Sequence, residues 1–411
     1  MKVLKPLILL CLTYSVTLIA NEKNSDLDKY LSNNKQKQFE YDYEKNDEES
    51  SKLHDSWIAP IQLDYSYVRS KPYTKEQTNE NAAIKMSQPI FKSGGIYYGI
   101  KYANASRLYA DYSIDVAKRK MIKDAISILM QIKQAGLRIE KQKLQIKNSE
   151  INLLQKKEQY LNGQLDSGFL DNAIIQKNVV IQALYDLQTS QERLITQFET
   201  LSDLNYQSVS VPHLELISSD EFLKHNIVLK HNRAEIQKNR ELKNVTIAKY
   251  LPSVNFTAGY TWTKSSGTGF ETGGNFIDTS NEISYYNYGL QASLPLDINT
   301  FRDIESAKVD YLKSQVVTQD KKRELSALFD QVMHNIKNYD KKISLSDENI
   351  KLYSKLLKDT KDLYQAGYKT EYDVDTLQNS LKIQNIDSKL FELDKQLALL
   401  TLYEMYVNNG K

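Results

Sequence analysis

The sequence contains little cysteine, proline or glycine. Its single cysteine, Cys11, excludes an intrachain disulfide and any site built from several cysteines. The 411 residues include 14 Gly and 7 Pro, about half or less of the usual shares of roughly 7% and 5%. This scarcity favours long helices. The 54 basic and 52 acidic residues nearly cancel, which argues against a nucleic-acid partner bound through a basic surface.

The motifs of common enzymes are also missing. There is no phosphate-binding glycine loop and no nucleophile elbow. No two of the five histidines have the i,i+4 spacing of a metal site. We therefore expect no catalytic residues, no cofactor and no metal.

The first 20 residues have the layout of a secretory signal peptide. Lys2 and Lys5 precede an apolar run, and the small Ala20 ends it. A permanent anchor helix and lipidation at Cys11 are the alternatives. Beyond residue 20 no apolar run approaches the roughly 18–20 residues that span a membrane. The sequence thus predicts an exported protein, either soluble or a β-barrel.

The rest of the chain reads as two similar halves. No proline occurs in 90–211 or 296–411, so both stretches can be long helices. Each is predicted to form a helical hairpin whose turn is a glycine with φ > 0. The predicted turn residues are Gly168 and Gly367, 199 positions apart. Two apolar seams of 4-3-4-3 spacing, also 199 apart, support this alignment: Leu187, Gln191, Leu194, Phe198 and Leu201, against Ile386, Leu390, Leu393, Leu397 and Leu400.

The two helices of the first hairpin have unequal predicted lengths. A helix over 95–166 would be about 108 Å long, whereas the returning run 169–203 would cover only about 52 Å. A further helix over 219–249 is predicted to pack beside the uncovered half. In the second half residues 26–56 would take that place, or would form a disordered polar tail.

Four segments alternate between apolar and polar residues. This period of two is typical of strands, and of transmembrane strands with one lipid face and one lumen face. A small sheet on a soluble core is the alternative. Four strands cannot close a membrane barrel, so a membrane location requires several chains to share one. The loops between paired strands are predicted at 69–81 and 264–282. The predicted lipid-facing residues are Val254, Phe256, Tyr260, Trp262, Tyr286, Tyr288 and Leu290.

Four segments carry a resemblance to a known family: WIAPIQLDYSY (57–67), SQPIFKSGG (87–95), AKYLPSVNFTAGY (248–260) and YQAGYKTEYDVDTLQNSL (364–381). In this order, duplicated in one chain, they resemble TolC-like outer membrane efflux proteins. The resemblance implies a homotrimer in the outer membrane with a long periplasmic extension. Each chain would give four strands to a 12-stranded β-barrel and its helices to an α-barrel tunnel.

The predicted fold is accordingly mainly α with β, with an internal duplication. The domains are a signal peptide (1–20), a polar helical segment (21–56), a first repeat (57–205, strands about 57–70 and 82–92, hairpin 95–203), an equatorial connector and helix (206–249), a second repeat (250–405, strands about 251–263 and 283–296, hairpin 298–405) and a tail (406–411).

The resemblance implies an exit duct of a tripartite efflux pump. Its partners would be a periplasmic adaptor protein, an inner-membrane transporter and outer-membrane lipid. A duct for type I protein secretion, and a soluble periplasmic coiled-coil scaffold, are the alternatives.

The resemblance also implies roles for residues at the helical tips. Gly168 and Gly367 would mark the tips that dock the adaptor. Tyr364 and Lys369 match positions of a constriction network, and Asp373 matches an acid at the closed entrance. A ring of carboxylates favours cations. The usual second acid is Thr376 here, with Asp375 one residue earlier on a different helical face, and the first-half position six after Gly168 is Ile174 rather than an acid.

Overall fold

A computed structural model describes residues 27–71, 76–270 and 276–407. The predicted signal peptide lies outside these residues. The chain is mainly helical with four strands, as predicted. After a short 3-10 helix (Asp28–Tyr30), the elements are α1 Asn33–His54, β1 Gln62–Ser70, β2 Gln77–Phe91, α2 Gly95–Leu161, α3 Ser167–Glu199, α4 Ser219–Lys224, α5 Ile227–Lys249, β3 Ser253–Phe270, β4 Phe276–Ser293, α6 Thr300–Gln365 and α7 Glu371–Tyr403.

The two halves repeat one another element by element. The long helices α2 and α6 have 67 and 66 residues, and the returning helices α3 and α7 have 33 each. At 1.5 Å per residue the long helices extend about 100 Å and the returning ones about 50 Å. The helices α1 and α5, with 22 and 23 residues, complete the duplication.

The prediction that Gly168 is the first hairpin turn is wrong. The residues with positive φ at the two turns are Gly163 (φ 69°) and Gly367 (φ 82°). Each follows a helix C-cap, and the next residue donates its N–H five positions back, Gln164 to Gln159 and Tyr368 to Leu363. This is the Schellman arrangement, which requires a left-handed residue. The repeat offset at the turns is therefore 204 residues rather than 199.

Gly168 lies instead in the first turn of α3. Its N–H donates to the side chain of Asp166, the N-cap residue, at 2.9 Å. Helix α3 has therefore already begun at Ser167, and a left-handed residue at 168 would interrupt it.

The N-terminal half of α2 packs against both α1 and α5. The segment 219–249, predicted as one helix beside the first long helix, forms α4 and α5; α5 packs along α2 as predicted and also along α6. Residues 33–54 form a helix rather than a disordered tail, but α1 packs against α2 of its own chain and not along α6. Tyr43 donates to Asp115 at 2.6 Å and Asn46 to Asp111 at 2.7 Å, which fixes α1 on α2.

The main apolar core lies at mid-length, where the two halves meet. Large, fully buried side chains come from the four helices α2, α3, α4 and α7, so this equatorial cluster joins both repeats into one unit. They are Ile126, Leu129, Met130, Phe198, Phe222, Leu400 and Leu402.

The four strands form one antiparallel sheet in the order β1-β2-β3-β4. The strands β3 and β4 have 18 residues each and extend well into the segment 264–282, which was predicted as a loop. The polar residues there continue the ladder, with Ser265 opposite Asn281 and Gly267 opposite Thr279. A run of small polar residues can remain extended when its backbone is paired with a neighbouring strand.

Candidate functional site

One face of the sheet is apolar across all four strands. Directly opposite residues of paired strands project on the same side, and the row Leu63, Ile84, Tyr260 and Tyr286 crosses the whole sheet. All seven residues predicted to face lipid lie on this face by register. Its β4 members are highly exposed: Tyr286 at 75%, Tyr288 at 73% and Leu290 at 70%.

The opposite face of the sheet is polar. Thr263 donates to Asn81 at 3.2 Å, and Ser265 donates to Asn79 at 2.5 Å across the β2–β3 pair. Polar side chains therefore bond to one another along this face. An apolar face backed by a hydrogen-bonded polar face is the pattern of a sheet between lipid and water.

Both edges of the sheet are open within the described chain. Strand β1 pairs only with β2, and β4 pairs only with β3. The long edge strand β4 therefore presents a row of free backbone donors and acceptors next to an exposed apolar face. Unprotected edges of this kind recruit another strand. Of the helices in the described ranges, none combines the length and apolarity needed to cross a membrane.

The predicted entrance residues lie together at the second helical tip. Tyr364 is in the last turn of α6, Lys369 is in the turn, and Asp373 and Asp375 are in the first turn and a half of α7. Lys369 and Asp375 are exposed and Tyr364 is 44% exposed. The turn thus brings one cation and two carboxylates close to the end of the molecule.

Asp373 has a local partner that the resemblance did not predict. Its carboxylate accepts the N–H and the hydroxyl of Thr370, both at 2.9 Å, and Thr370 Oγ1 accepts the N–H of Asp373 at 3.3 Å. This is a capping box. The hydrogen bonds from Thr370 and the charge of Lys369 hold the pKa of Asp373 below its ordinary value. The sequence signal was present, because Thr and an acid three residues later mark a helix start.

A contact between the two hairpins goes beyond what the sequence predicts. Tyr372 of α7 donates its hydroxyl to Glu158 of α2 at 2.8 Å, and this hydrogen bond raises the pKa of Tyr372. It joins the two tips near their ends. No local pattern could reveal it, since the residues are 214 positions apart.

This contact is the last rung of a polar seam between α2 and α7. Further towards the equator the seam continues with four more rungs, and a small apolar cluster of Leu144, Ile386 and Leu390 lies among them. The rungs are Asn379 to Asn148 (2.8 Å), Lys141 to Asp387 (2.6 Å), Gln134 to Asp394 (2.8 Å) and Lys123 to Glu404 (3.9 Å).

Comparisons with known proteins agree with this geometry. Residues 219–406 match the family model described as outer membrane efflux protein. No curated protein sequence matches the chain. Among solved structures, the CusC channel covers 92% of this chain and 90% of its own at 12% identity, with a TM-score of 0.67.

Two further structures have the same fold. The outer membrane channel CmeC of Campylobacter jejuni covers 94% of this chain and 86% of its own at 14% identity, with a TM-score of 0.67. The outer membrane protein VceC of Vibrio cholerae covers 92% and 95% at 17% identity, with a TM-score of 0.64. At these identities the likeness establishes the fold. Residues 219–406 are thus similar to the outer membrane efflux protein family, and the fold of these channels is shared along nearly the whole length of the chain.

Proposed function

We propose that three copies of this chain form an outer-membrane exit duct of an efflux pump. The four-stranded sheets close into one 12-stranded barrel in the lipid, and the helices form a long periplasmic tunnel. The duct is passive. A periplasmic adaptor docks at the helical tips and links it to an inner-membrane transporter that drives the substrate.

One observation carries this proposal: an open, two-faced sheet is continuous with helices about 100 Å long. A sheet with an apolar face cannot leave open edges in lipid, because unpaired backbone groups there cost several kcal/mol each. Four strands are also too few to close on themselves. Further copies must therefore supply strands to β1 and β4, and three copies give 12.

We place the closed entrance at the tips. Three copies of the turn would bring Lys369, Asp373 and Asp375 around one axis, where carboxylates favour cations. The link from Tyr372 to Glu158 holds the second tip against the first, so opening requires that bond to break. Gly163 and Gly367 build the turns that an adaptor would contact. Gly168 lies five residues after Gly163, in the first helical turn of α3, and we propose that the adaptor contacts this turn as well.

The first experiment is fractionation of the expressed protein, followed by size analysis in mild detergent and recordings in planar bilayers. An outer-membrane trimer with single-channel conductance is expected. A monomer that extracts without detergent would contradict the duct and would favour an exported coiled-coil scaffold.

The entrance is tested by removing a single hydroxyl. Tyr372→Phe should raise the frequency of spontaneous channel opening, because it deletes the bond to Glu158. Tyr368→Phe is the matched control, since Tyr368 is 80% exposed in the neighbouring turn. If both variants open spontaneously at the same frequency, Tyr372 is not part of the gate.

A further inference from the structure

The internal duplication determines more than the fold of one chain. In the sheet, β2 of the first repeat pairs with β3 of the second. In a closed ring of copies, β4 of one chain must pair with β1 of the next. The β2–β3 contact and the β4–β1 contact are then equivalent, because each joins the end of one repeat to the start of another. The contact inside the chain is therefore a template for the contact between copies.

We propose that a second copy docks on this chain in the register of that template. The proposal rests on the shared barrel proposed above, and adds which residues meet. Its occupant is a second copy because the free edges and the free helix faces are the duplicates of surfaces that are already paired inside the chain.

The strand register follows from two equivalences. Ser87-Gln-Pro89 at the end of β2 corresponds to Ser293-Leu-Pro295 at the end of β4. With that alignment, the hairpin pair Leu63↔Ile84 corresponds to Phe256↔Leu290. Both members of each pair lie on the apolar face, so the alignment preserves the two faces of the sheet.

The residue pair that joins β2 to β3 within the chain now predicts the pair that joins β4 to β1 of the next copy. Ile84 lies opposite Tyr260, and their equivalents are Leu290 and Tyr67. Leu290 of one copy should therefore lie opposite Tyr67 of the next. Both side chains are exposed in the single chain, at 70% and 54%. The pairing places apolar residues of both copies on the lipid side.

The segment after β4 supports the same contact. Its equivalent in the first repeat is held inside the chain, where Ser93 donates to the carbonyl of Pro252 at 2.6 Å. The segment after β4 has no such cover: Leu296 is 92%, Ile298 is 91% and Phe301 is 85% exposed. In the template, these side chains meet the start of the first repeat of the next copy, which exposes Ile58 and Ile61 at 53% and 67%.

The helices give a second, independent register. Because Gly163 corresponds to Gly367, the α2–α7 seam inside one chain corresponds to a seam between α6 and α3 of the next copy. The Asn148–Asn379 rung becomes Leu352 against Ile175. These residues are 53% and 55% exposed, as expected for halves of an unformed contact.

The two seams differ in chemistry. The Lys141–Asp387 rung inside the chain is replaced between copies by Leu345 against Ala183, and Leu345 is 57% exposed in the single chain. At these two rungs, polar pairs within a chain are replaced by apolar pairs between chains. Exposed apolar residues at these positions suit contact with the matching apolar residues of a second copy.

Cysteine cross-linking tests the register in the full-length protein with Cys11→Ser, which otherwise has no cysteine. The sheet pair is Leu290→Cys with Tyr67→Cys, and the helix pair is Leu352→Cys with Ile175→Cys. The controls keep one site and move the other: Leu63→Cys, about 13 Å along β1, and Tyr185→Cys, about 15 Å along α3. All positions are exposed in the single chain.

After mild oxidation, both proposed pairs should give dimer and trimer bands, with about tenfold more cross-linking than the controls, because disulfides need Cα atoms within roughly 7 Å. If trimers form by size analysis but the controls link as well as the proposed pairs, or no pair links, the register is wrong and the duct stands. If no trimer forms before oxidation, both the register and the proposed function are wrong.

Discussion

Two tyrosines of β4 offer a direct test of which side of the sheet meets lipid. Tyr288 lies on the apolar face opposite Ala258, and Tyr285 lies on the polar face opposite Thr261. Their exposed fractions are 73% and 54%. Tyr288→Arg and Tyr285→Arg therefore make the same chemical change, three positions apart on one strand, on opposite faces.

The size of the effect follows from depth. On β3 the apolar face runs from Val254 to Trp262, which is about 26 Å along the strand and roughly 20 Å along the membrane normal at a 40° tilt. Tyr288 is opposite the centre of this run. An arginine at the bilayer midplane costs about 2–4 kcal/mol, which lowers the folded fraction relative to the unfolded roughly 30- to 700-fold per chain. Tyr285→Arg should change the folding free energy by less than about 0.5 kcal/mol.

Denaturant-dependent folding into lipid vesicles measures both variants against the parent protein. The predicted outcome is a large loss for Tyr288→Arg and a near-neutral Tyr285→Arg. In a soluble sheet, an arginine at the exposed Tyr288 would be harmless. Equal free energies for the two variants would thus refute a lipid-facing β4.

Three smaller predictions concern the helices and can be checked by chemical denaturation. Gly163→Ala should destabilise by about 1 kcal/mol because φ is positive there, whereas Gly136→Ala, inside α2, should stabilise by up to about 1 kcal/mol. In a double-mutant cycle, Lys141 and Asp387 should couple by about 1–2 kcal/mol, since both side chains are largely buried; additive losses would contradict the pair. Thr370→Ala should cost about 1 kcal/mol at pH 7. Because the cap lowers the carboxylate pKa, its contribution is complete above the unfolded pKa near 4 and is lost as pH falls through the folded value, so the cost should shrink at pH 3.

Most of the architecture could be predicted because local residue patterns determine its helices and strands. Alternation between apolar and polar residues predicted four strands and their faces, and the register places residues such as Phe256 and Tyr260 on one side as expected. The absence of proline predicted the long helices. The exact position of the first hairpin turn was harder to predict, since Gly163 and Gly168 both precede an apolar run. The N-cap Asp166 decides between them, and it could have been recognised from the sequence.

The polar seam between α2 and α7 could not be predicted, because it depends on the register of two helices from different repeats. Its rungs join residues more than 200 positions apart, and a polar residue such as Asn148 reads in sequence as an ordinary surface position. Asp373 is a different case, because its capping bond to Thr370 follows a local sequence pattern. The resemblance assigns the Asp373 carboxylate to the channel entrance, and the same carboxylate accepts the capping bond from Thr370. Both roles hold only if one carboxylate serves the start of α7 and the entrance together. Opening would then leave the cap intact when the tips separate as rigid turns, and break it when α7 unwinds. A pH-dependent loss of Thr370's contribution that tracks channel opening would therefore favour unwinding, whereas opening without that loss would favour rigid separation of the tips.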